Sequence, residues 1–168
     1  MTGYNFLCKR TGSNIGTESF YAGLTHSDLE VHGYDLLCDF VDIANDFKKR
    51  FEVDNVHFHC QDALTADISD TMVVFLDDQA WDSELVKLMF TKLENQLPVG
   101  GILFDYVTAH EYAVVRATPK EWELIACESL DVSWMPMQGT SIAVYRKLPH
   151  NPSFLYNNLG DYMFLMKR

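Results

Sequence analysis

The apolar positions of this 168-residue chain follow two spacings that alternate along the sequence. Short alternating or continuous apolar runs are typical of β-strands, whereas apolar residues three and four positions apart are typical of one helix face. The first spacing predicts strands over Tyr4–Cys8, Glu30–Asp35, Val56–Cys60, Thr71–Leu76 and Gly101–Tyr106. The second predicts helices over Glu18–Leu24, Leu36–Phe51 and Ser83–Leu97. Strands that alternate with helices indicate βαβ units and a parallel sheet.

Two of the predicted helices have an apolar stripe. In the second helix the stripe is Leu36, Leu37, Phe40, Val41, Ala44 and Phe47. In the third helix it is Leu85, Leu88, Met89, Leu93 and Leu97. Asp82 or Ser83 is expected to cap the third helix, since a short polar side chain can accept from its first free amides.

The C-terminal part of the chain does not continue the alternation of strands and helices. Two further strands, Trp122–Val132 and Ser141–Lys147, are joined by a turn at Pro136 and Gly139 that is too short for a parallel crossover. The chain is therefore predicted to be an α/β protein. It has a Rossmann-like, mostly parallel sheet, helices on both faces and an antiparallel strand pair at one edge. Residues 1–147 form one domain, and Leu148–Arg168 is a tail packed on it.

The charge and composition of the chain favour some classes of ligand and cellular location over others. The chain has 24 acidic and 13 basic residues and a formal charge of −11, which disfavours direct binding of nucleic acid and favours a small molecule or a basic protein segment. No apolar run is long enough to cross a membrane, and no secretory signal begins the chain, so we expect an intracellular protein, cytoplasmic or nuclear. The four cysteines, Cys8, Cys38, Cys60 and Cys127, form no CxxC pair. Three of them lie in predicted strands or helices among apolar neighbours, which indicates reduced, buried thiols.

Asp35 is the first candidate binding residue. It ends the second predicted strand, about 20 residues after a glycine-containing turn, where a Rossmann-like domain places an acid on ribose hydroxyls. A carboxylate suits that role because its two oxygens accept two hydroxyl hydrogen bonds at once. Capping of the second helix is an equally good role for Asp35, and the two roles can coexist.

The order of elements and the turn after the first strand resemble the class I S-adenosylmethionine (SAM)-dependent methyltransferases. The turn carries Gly12 and Gly16 at the first and third glycine positions of that family, with Asn14 at the second and Arg10 in place of the usual acid. The resemblance implies SAM as cofactor, with Gly12, Asn14 and Gly16 under its methionine part and Asp35 on its ribose. It also implies that Asp62, in Cys60–Ala63, accepts from the adenine amino group.

The turn after the fourth strand is the family's place for the methyl acceptor. Asp77, Asp78 and Trp81 lie there and are the candidate catalytic residues. Two carboxylates attract a cationic amine, a raised pKa would let one of them take its proton, and an indole face adds a cation–π contact. The alternative is an acid cluster that favours the start of the third helix.

Within this superfamily the chain is most similar to the Dot1-type histone-lysine methyltransferases. The likeness lies in the spacing from Gly33 and Asp35 to Ala44, in the turn from Asp77 to Trp81, and in Asp131–Trp134 followed by Val144 and Tyr145. It implies methyl transfer to an amine, such as a lysine of a basic protein segment. Both asparagines of that group's turn are acids here, and its basic nucleosome-binding segment is absent.

Three alternatives stay open. A catalytically inactive, methyltransferase-like binding or scaffold protein would explain Arg10 and Asn14. A nucleotide- or phosphate-binding enzyme would use Lys9, Arg10 and the loop amides. His57 and His59 share one strand face and suit a metal ion, but the sequence suggests no third ligand near them.

Overall fold

The computed structural model describes residues 6–78, 81–107, 121–130 and 140–149. Within these ranges the elements are β1 (Phe6–Thr11), α1 (Thr17–Thr25), β2 (Leu29–Asp35), α2 (Cys38–Phe51), β3 (Val56–Cys60), β4 (Val73–Leu76), α3 (Ser83–Gln96), β5 (Ile102–Val107), β6 (Trp122–Leu130) and β7 (Thr140–Lys147). No helix in the described ranges has the length and apolar character needed to cross a membrane.

One seven-stranded sheet runs through the described residues in the order β3-β2-β1-β4-β5-β7-β6. Strands β1 to β5 pair in parallel, while β7 pairs antiparallel with both β5 and β6. The predicted Rossmann-like fold with a terminal antiparallel pair is thereby confirmed. Because β1 to β4 are parallel, their carboxyl ends meet at one edge of the sheet, where open α/β sheets bind ligands.

Two apolar cores cover the two faces of the sheet. Val73 packs in one core and its neighbour Val74 in the other, and successive strand residues point to opposite faces. The first core joins β2 and β3 to α1 and α2 through Val31, Val41, Ala44, Val53, Val56, Phe58 and Phe20. The second joins β4, β5 and β7 to α3 through Val74, Leu76, Met89, Leu93, Leu103, Ala143 and Tyr145. Helices therefore lie on both faces, as predicted.

Some apolar positions differ from the predicted stripes. Leu36 and Leu37 are exposed and precede α2, which begins at Cys38, so they do not belong to its buried stripe. Leu88 of α3 is also exposed, and Val86 is buried in its place. Strand β1 extends to Thr11, three residues beyond its predicted end, because it has partners on both sides, β2 and β4.

The predicted burial is wrong for Cys38, Cys60 and Cys127, and the predicted reduced state is wrong for Cys38 and Cys60. Cys38 and Cys60 are exposed and joined by a disulfide, and Cys127 is a free, exposed thiol. The pairing of β2 with β3 sets Asp35 opposite Cys60. Since α2 starts three residues after Asp35, the register brings the Cys38 and Cys60 Cα atoms to 4.9 Å. The side chain of Cys8 lies outside the described part of the chain.

Several expectations fall on residues outside the described ranges. They are the packing of the tail beyond residue 149, the Pro136 and Gly139 turn, and the Asp131–Trp134 part of the Dot1-type likeness.

Candidate functional site

The loop after β1 forms the centre of the candidate site. Gly12, Asn14 and Gly16 all have a positive φ, of 66°, 50° and 88°. Asn14 therefore accepts the left-handed conformation in place of a glycine. The Ser13 amide donates to the Tyr34 carbonyl at 3.0 Å, which fixes the loop to the end of β2.

Close packing explains the glycines of this region. A Cβ on Gly16 would lie 2.4 Å from Phe58 Cζ, and one on Gly33 would lie 2.8 Å from Ser13 Cβ. A Cβ on Gly12 would lie 3.0 Å from the Asp77 carbonyl oxygen. The loop therefore passes between the ends of β2 and β4, so it can present backbone amides at the crevice.

Asp35 connects the loop to the start of α2. Its Oδ2 accepts from the Asn14 amide at 2.8 Å and its Oδ1 accepts from the Leu37 amide at 2.9 Å. Leu37 is the N-cap residue of α2, so Asp35 accepts from the amide of the cap itself and not from the first amides inside the helix. Asp35 is half-buried, and each carboxylate oxygen can accept a further hydrogen bond. A ligand hydroxyl can therefore still bind it.

Asp62 lies two residues after the end of β3. Its Oδ1 accepts from the Leu64 amide at 2.9 Å in a local turn, and its backbone oxygen accepts from the Thr65 amide at 2.9 Å. The Gln61 amide donates to the Asp35 carbonyl at 3.0 Å, which holds this turn beside the end of β2. Asp35 and Asp62 thus lie on neighbouring strand ends, as the sequence predicts, and Oδ2 of Asp62 takes no part in the turn.

The three candidate catalytic residues follow β4. Asp77 is half-buried and Asp78 is buried, with 5% of its surface exposed. The Trp81 amide donates to the Asp78 carbonyl at 2.9 Å, and the Trp81 ring packs against the core formed with α3. The indole therefore has a packing role in addition to any contact with a ligand.

The acid that caps α3 is a different one. Asp82 Oδ1 accepts from the Glu84 and Leu85 amides at 3.0 and 2.9 Å, as one of the two predicted caps. Asp82, rather than Asp77 or Asp78, is therefore the residue that caps α3.

Two features of this region were not found from the sequence. Asp105 is fully buried on β5 and is paired in register with Leu76, the last residue of β4. Its signal was an acid inside the apolar run Gly101–Tyr106. The second feature is that Glu30 and His32 join His57 and His59 on one sheet face, because β2 and β3 set His32 opposite His57.

No protein-family model matches the chain, and no curated protein matches it either. Solved structures do. An RNA methyltransferase from Salinibacter ruber, solved in complex with S-adenosyl-L-homocysteine, is 21% identical with a TM-score of 0.67, over 92% of this chain and 88% of that one. The putative methylase HI0767 from Haemophilus influenzae is 15% identical with a TM-score of 0.69, over 88% and 90% of the two chains.

TrmN from Thermus thermophilus is 16% identical with a TM-score of 0.70, and the match covers 86% of this chain. The chain spans 44% of the length of TrmN. Together with the strand order and the antiparallel β7, these similarities show that the chain has the Rossmann-like fold of the class I methyltransferases.

Proposed function

We propose that the protein is a SAM-dependent methyltransferase that binds its cofactor across the ends of β1, β2 and β3. The observation that carries this proposal is the Asp35 carboxylate, which holds the Asn14 amide of the glycine-containing loop and keeps acceptor capacity at the crevice. The methyltransferase fold and the neighbour with bound S-adenosyl-L-homocysteine support the same cofactor.

The residues present fit this cofactor. The left-handed Gly12, Asn14 and Gly16 make a loop whose backbone can lie close to the methionine part. Asp35 would accept from the ribose hydroxyls and Asp62 from the adenine amino group. When bound, SAM supplies an electrophilic methyl group on a sulfonium, so the protein is left with positioning the acceptor in line and excluding water.

Asp77, Asp78 and Trp81 would hold the acceptor. Two carboxylates at the end of β4 would accept hydrogen bonds from an N–H group, and either could take the proton that the nitrogen loses when it gains the methyl group. The buried position of Asp78 supports this role, because water is largely excluded there.

We propose RNA as the acceptor class. The Salinibacter ruber neighbour is an RNA methyltransferase, and this similarity runs against the expectation that the chain does not bind nucleic acid directly. A lysine in a basic protein segment is the second candidate, and the formal charge of −11 favours it. The Dot1-type likeness has no support beyond the residues that suggested it.

Calorimetric titration with SAM and with S-adenosylhomocysteine tests the cofactor. We expect micromolar binding, weakened about 10- to 100-fold in Asp35→Asn, since a hydrogen bond to a charged group contributes about 1.5–3 kcal/mol. Asp28→Asn is the matched control, because Asp28 is an exposed acid just before β2. No binding of either ligand at millimolar concentration would overturn the enzyme proposal and favour an inactive, methyltransferase-like binding protein.

Transfer of a radioactive methyl group from SAM tests the acceptor. The protein is incubated with total RNA or with a lysine-rich basic protein, and the label is then challenged with ribonuclease or protease. Label lost only to ribonuclease would support RNA, and label lost only to protease would support the lysine alternative. Asp77→Asn and Asp78→Asn are expected to lower kcat at least about 10-fold while SAM affinity stays unchanged.

A further inference from the structure

The face of β2 and β3 opposite α1 and α2 carries polar side chains. Glu30, His32 and Tyr34 alternate on β2 with residues of the apolar core, and His57 and His59 do so on β3. The connection from β3 to β4, residues 61–72, contains no helix. A crossover helix is the usual cover of such a face, and without one Glu30, His32 and His57 are half-exposed.

The imidazoles are close to one another and to one carboxylate. His32 Nε2 lies 3.3 Å and His57 Nε2 lies 3.6 Å from the same atom, Glu30 Oε1. One ligand atom from each of these three residues lies within 4.8 Å of the other two. In tetrahedral zinc sites the bonds of about 2.0–2.2 Å place neighbouring ligand atoms about 3.4 Å apart. The observed separations are close to that value.

We propose a zinc-binding site that links the edge strand β3 to β2 and is formed by Glu30, His32 and His57. Two imidazoles and one carboxylate are a known zinc ligand set, and a fourth position is left for water. The exposed fractions of 42%, 20% and 36% for the three side chains leave an entry path for the ion. The site lies on the sheet face and is separate from the Asp35 crevice, so it does not depend on the proposed methyl transfer.

His59 orients one of the ligands. Its Nε2 lies 2.9 Å from His32 Nδ1, and the two ring planes are parallel within 1°. When His32 donates from Nδ1 to His59, its Nε2 carries no hydrogen and is available to bind a metal ion beside the Glu30 carboxylate. Zinc ligands commonly have such a second hydrogen bond, which fixes the tautomer.

Lys48 opposes zinc binding at this site. Its ammonium lies 3.2 Å from His57 Nδ1 and must donate there, so the proton of neutral His57 is on Nε2, the atom that would bind zinc. Zinc binding requires that proton to leave Nε2 and Nδ1 to be protonated, at which point the contact with Lys48 is lost. Lys48→Met is therefore expected to tighten zinc binding several-fold.

Titration of the EDTA-treated, disulfide-intact protein with ZnCl2 tests the proposal. We expect one zinc ion per chain with micromolar or tighter affinity, and visible d–d absorption of a tetrahedral ion when CoCl2 is used instead. His57→Ala and Glu30→Gln should weaken binding by more than about 100-fold, and His59→Gln by about 10-fold, as for an outer-shell group. His26→Ala, at the exposed end of α1, is the control and should bind as the unmodified protein does.

Thermal unfolding gives a second readout. Saturating zinc should raise Tm by about 5 °C or more, because it binds only the folded chain, and Glu30→Gln should abolish this rise. Glu30→Gln keeps the shape of the side chain, so it remains informative even if His57→Ala fails to fold. Absence of saturable zinc binding would overturn the proposal, and so would binding that persists unchanged in both variants.

Discussion

At the scale of single residues, backbone conformation and close packing determine the loop after β1. Gly16 has a φ of +88° and ends the loop at the start of α1, against the ring of Phe58. Asn14 reaches the same region of φ with a side chain whose Oδ1 accepts from the Ile15 amide at 2.8 Å. Asparagine can therefore take the place of glycine at position 14. At position 16, packing against Phe58 leaves no room for a side chain.

Gly16→Ala should lower the free energy of unfolding by about 2–4 kcal/mol, the sum of a left-handed alanine and a clash in a packed site. Gly100→Ala is the matched control. Gly100 has nearly the same φ, +87°, but its Cβ would meet nothing within 4 Å, so we expect a loss of only about 1 kcal/mol. Urea unfolding of both variants measures the difference. Equal losses would show that packing against Phe58 contributes nothing.

At the scale of elements, the disulfide joins the end of β3 to the start of α2. Cys38 and Cys60 are 22 residues apart in sequence; Cys60 lies opposite Asp35 in the sheet register, and Cys38 follows Asp35 by three residues. The covalent link therefore holds two of the elements that border the candidate cofactor site. In the sequence neither cysteine has another cysteine close by, so local patterns do not predict their pairing.

Breaking this disulfide should lower the free energy of unfolding by about 3 kcal/mol, as expected for a closed loop of this length in an otherwise unfolded chain. The double substitution Cys38→Ala with Cys60→Ala is compared with Cys127→Ala, which removes an exposed free thiol and should change stability by less than about 0.5 kcal/mol. The measurement is urea unfolding without reductant. If a strong reductant leaves the midpoint of the unmodified protein unchanged, the pairing is wrong.

At the scale of the whole molecule, Lys147 links the antiparallel end of the sheet to α3. Its ammonium is buried on β7 and donates to the carbonyls of Leu93 and Glu94 in the last turn of the helix. Glu121 Oε2 lies 3.5 Å away, and the Trp122 ring centroid lies 5.6 Å away. A cation at the carboxyl end of a helix also interacts favourably with the helix dipole.

Lys147→Met should lower the free energy of unfolding by about 2–4 kcal/mol, because it removes the buried ammonium that donates to the Leu93 and Glu94 carbonyls and pairs with Glu121. Lys87→Met is the control. Lys87 pairs with Glu84 at 2.8 Å on the exposed surface of α3, where such a pair contributes about 0.5 kcal/mol or less. Thermal or urea unfolding distinguishes the two, and similar small losses would show that Lys147 is replaceable.

Local patterns were sufficient for the order and type of the elements. The runs at Val56–Cys60 and Ser83–Gln96 were predicted to within one residue, because periodicity and an N-cap are properties of neighbouring residues. The short connection before the last strand was likewise enough to predict its antiparallel pairing. For the same reason the sequence placed Asp35 and Asp62 at the carboxyl ends of successive strands.

Contacts between distant residues were decided only by the tertiary structure. The sequence suggested no third ligand beside His57 and His59, because Glu30 and His32 reach them only through the register of β2 on β3. The burial of Lys147 against α3, across more than 50 residues, depends on the order of strands in the sheet in the same way. Periodicity fixes which face of an element is apolar, whereas the pairing of strands fixes which polar groups meet, and that pairing is set by the packing of the whole chain.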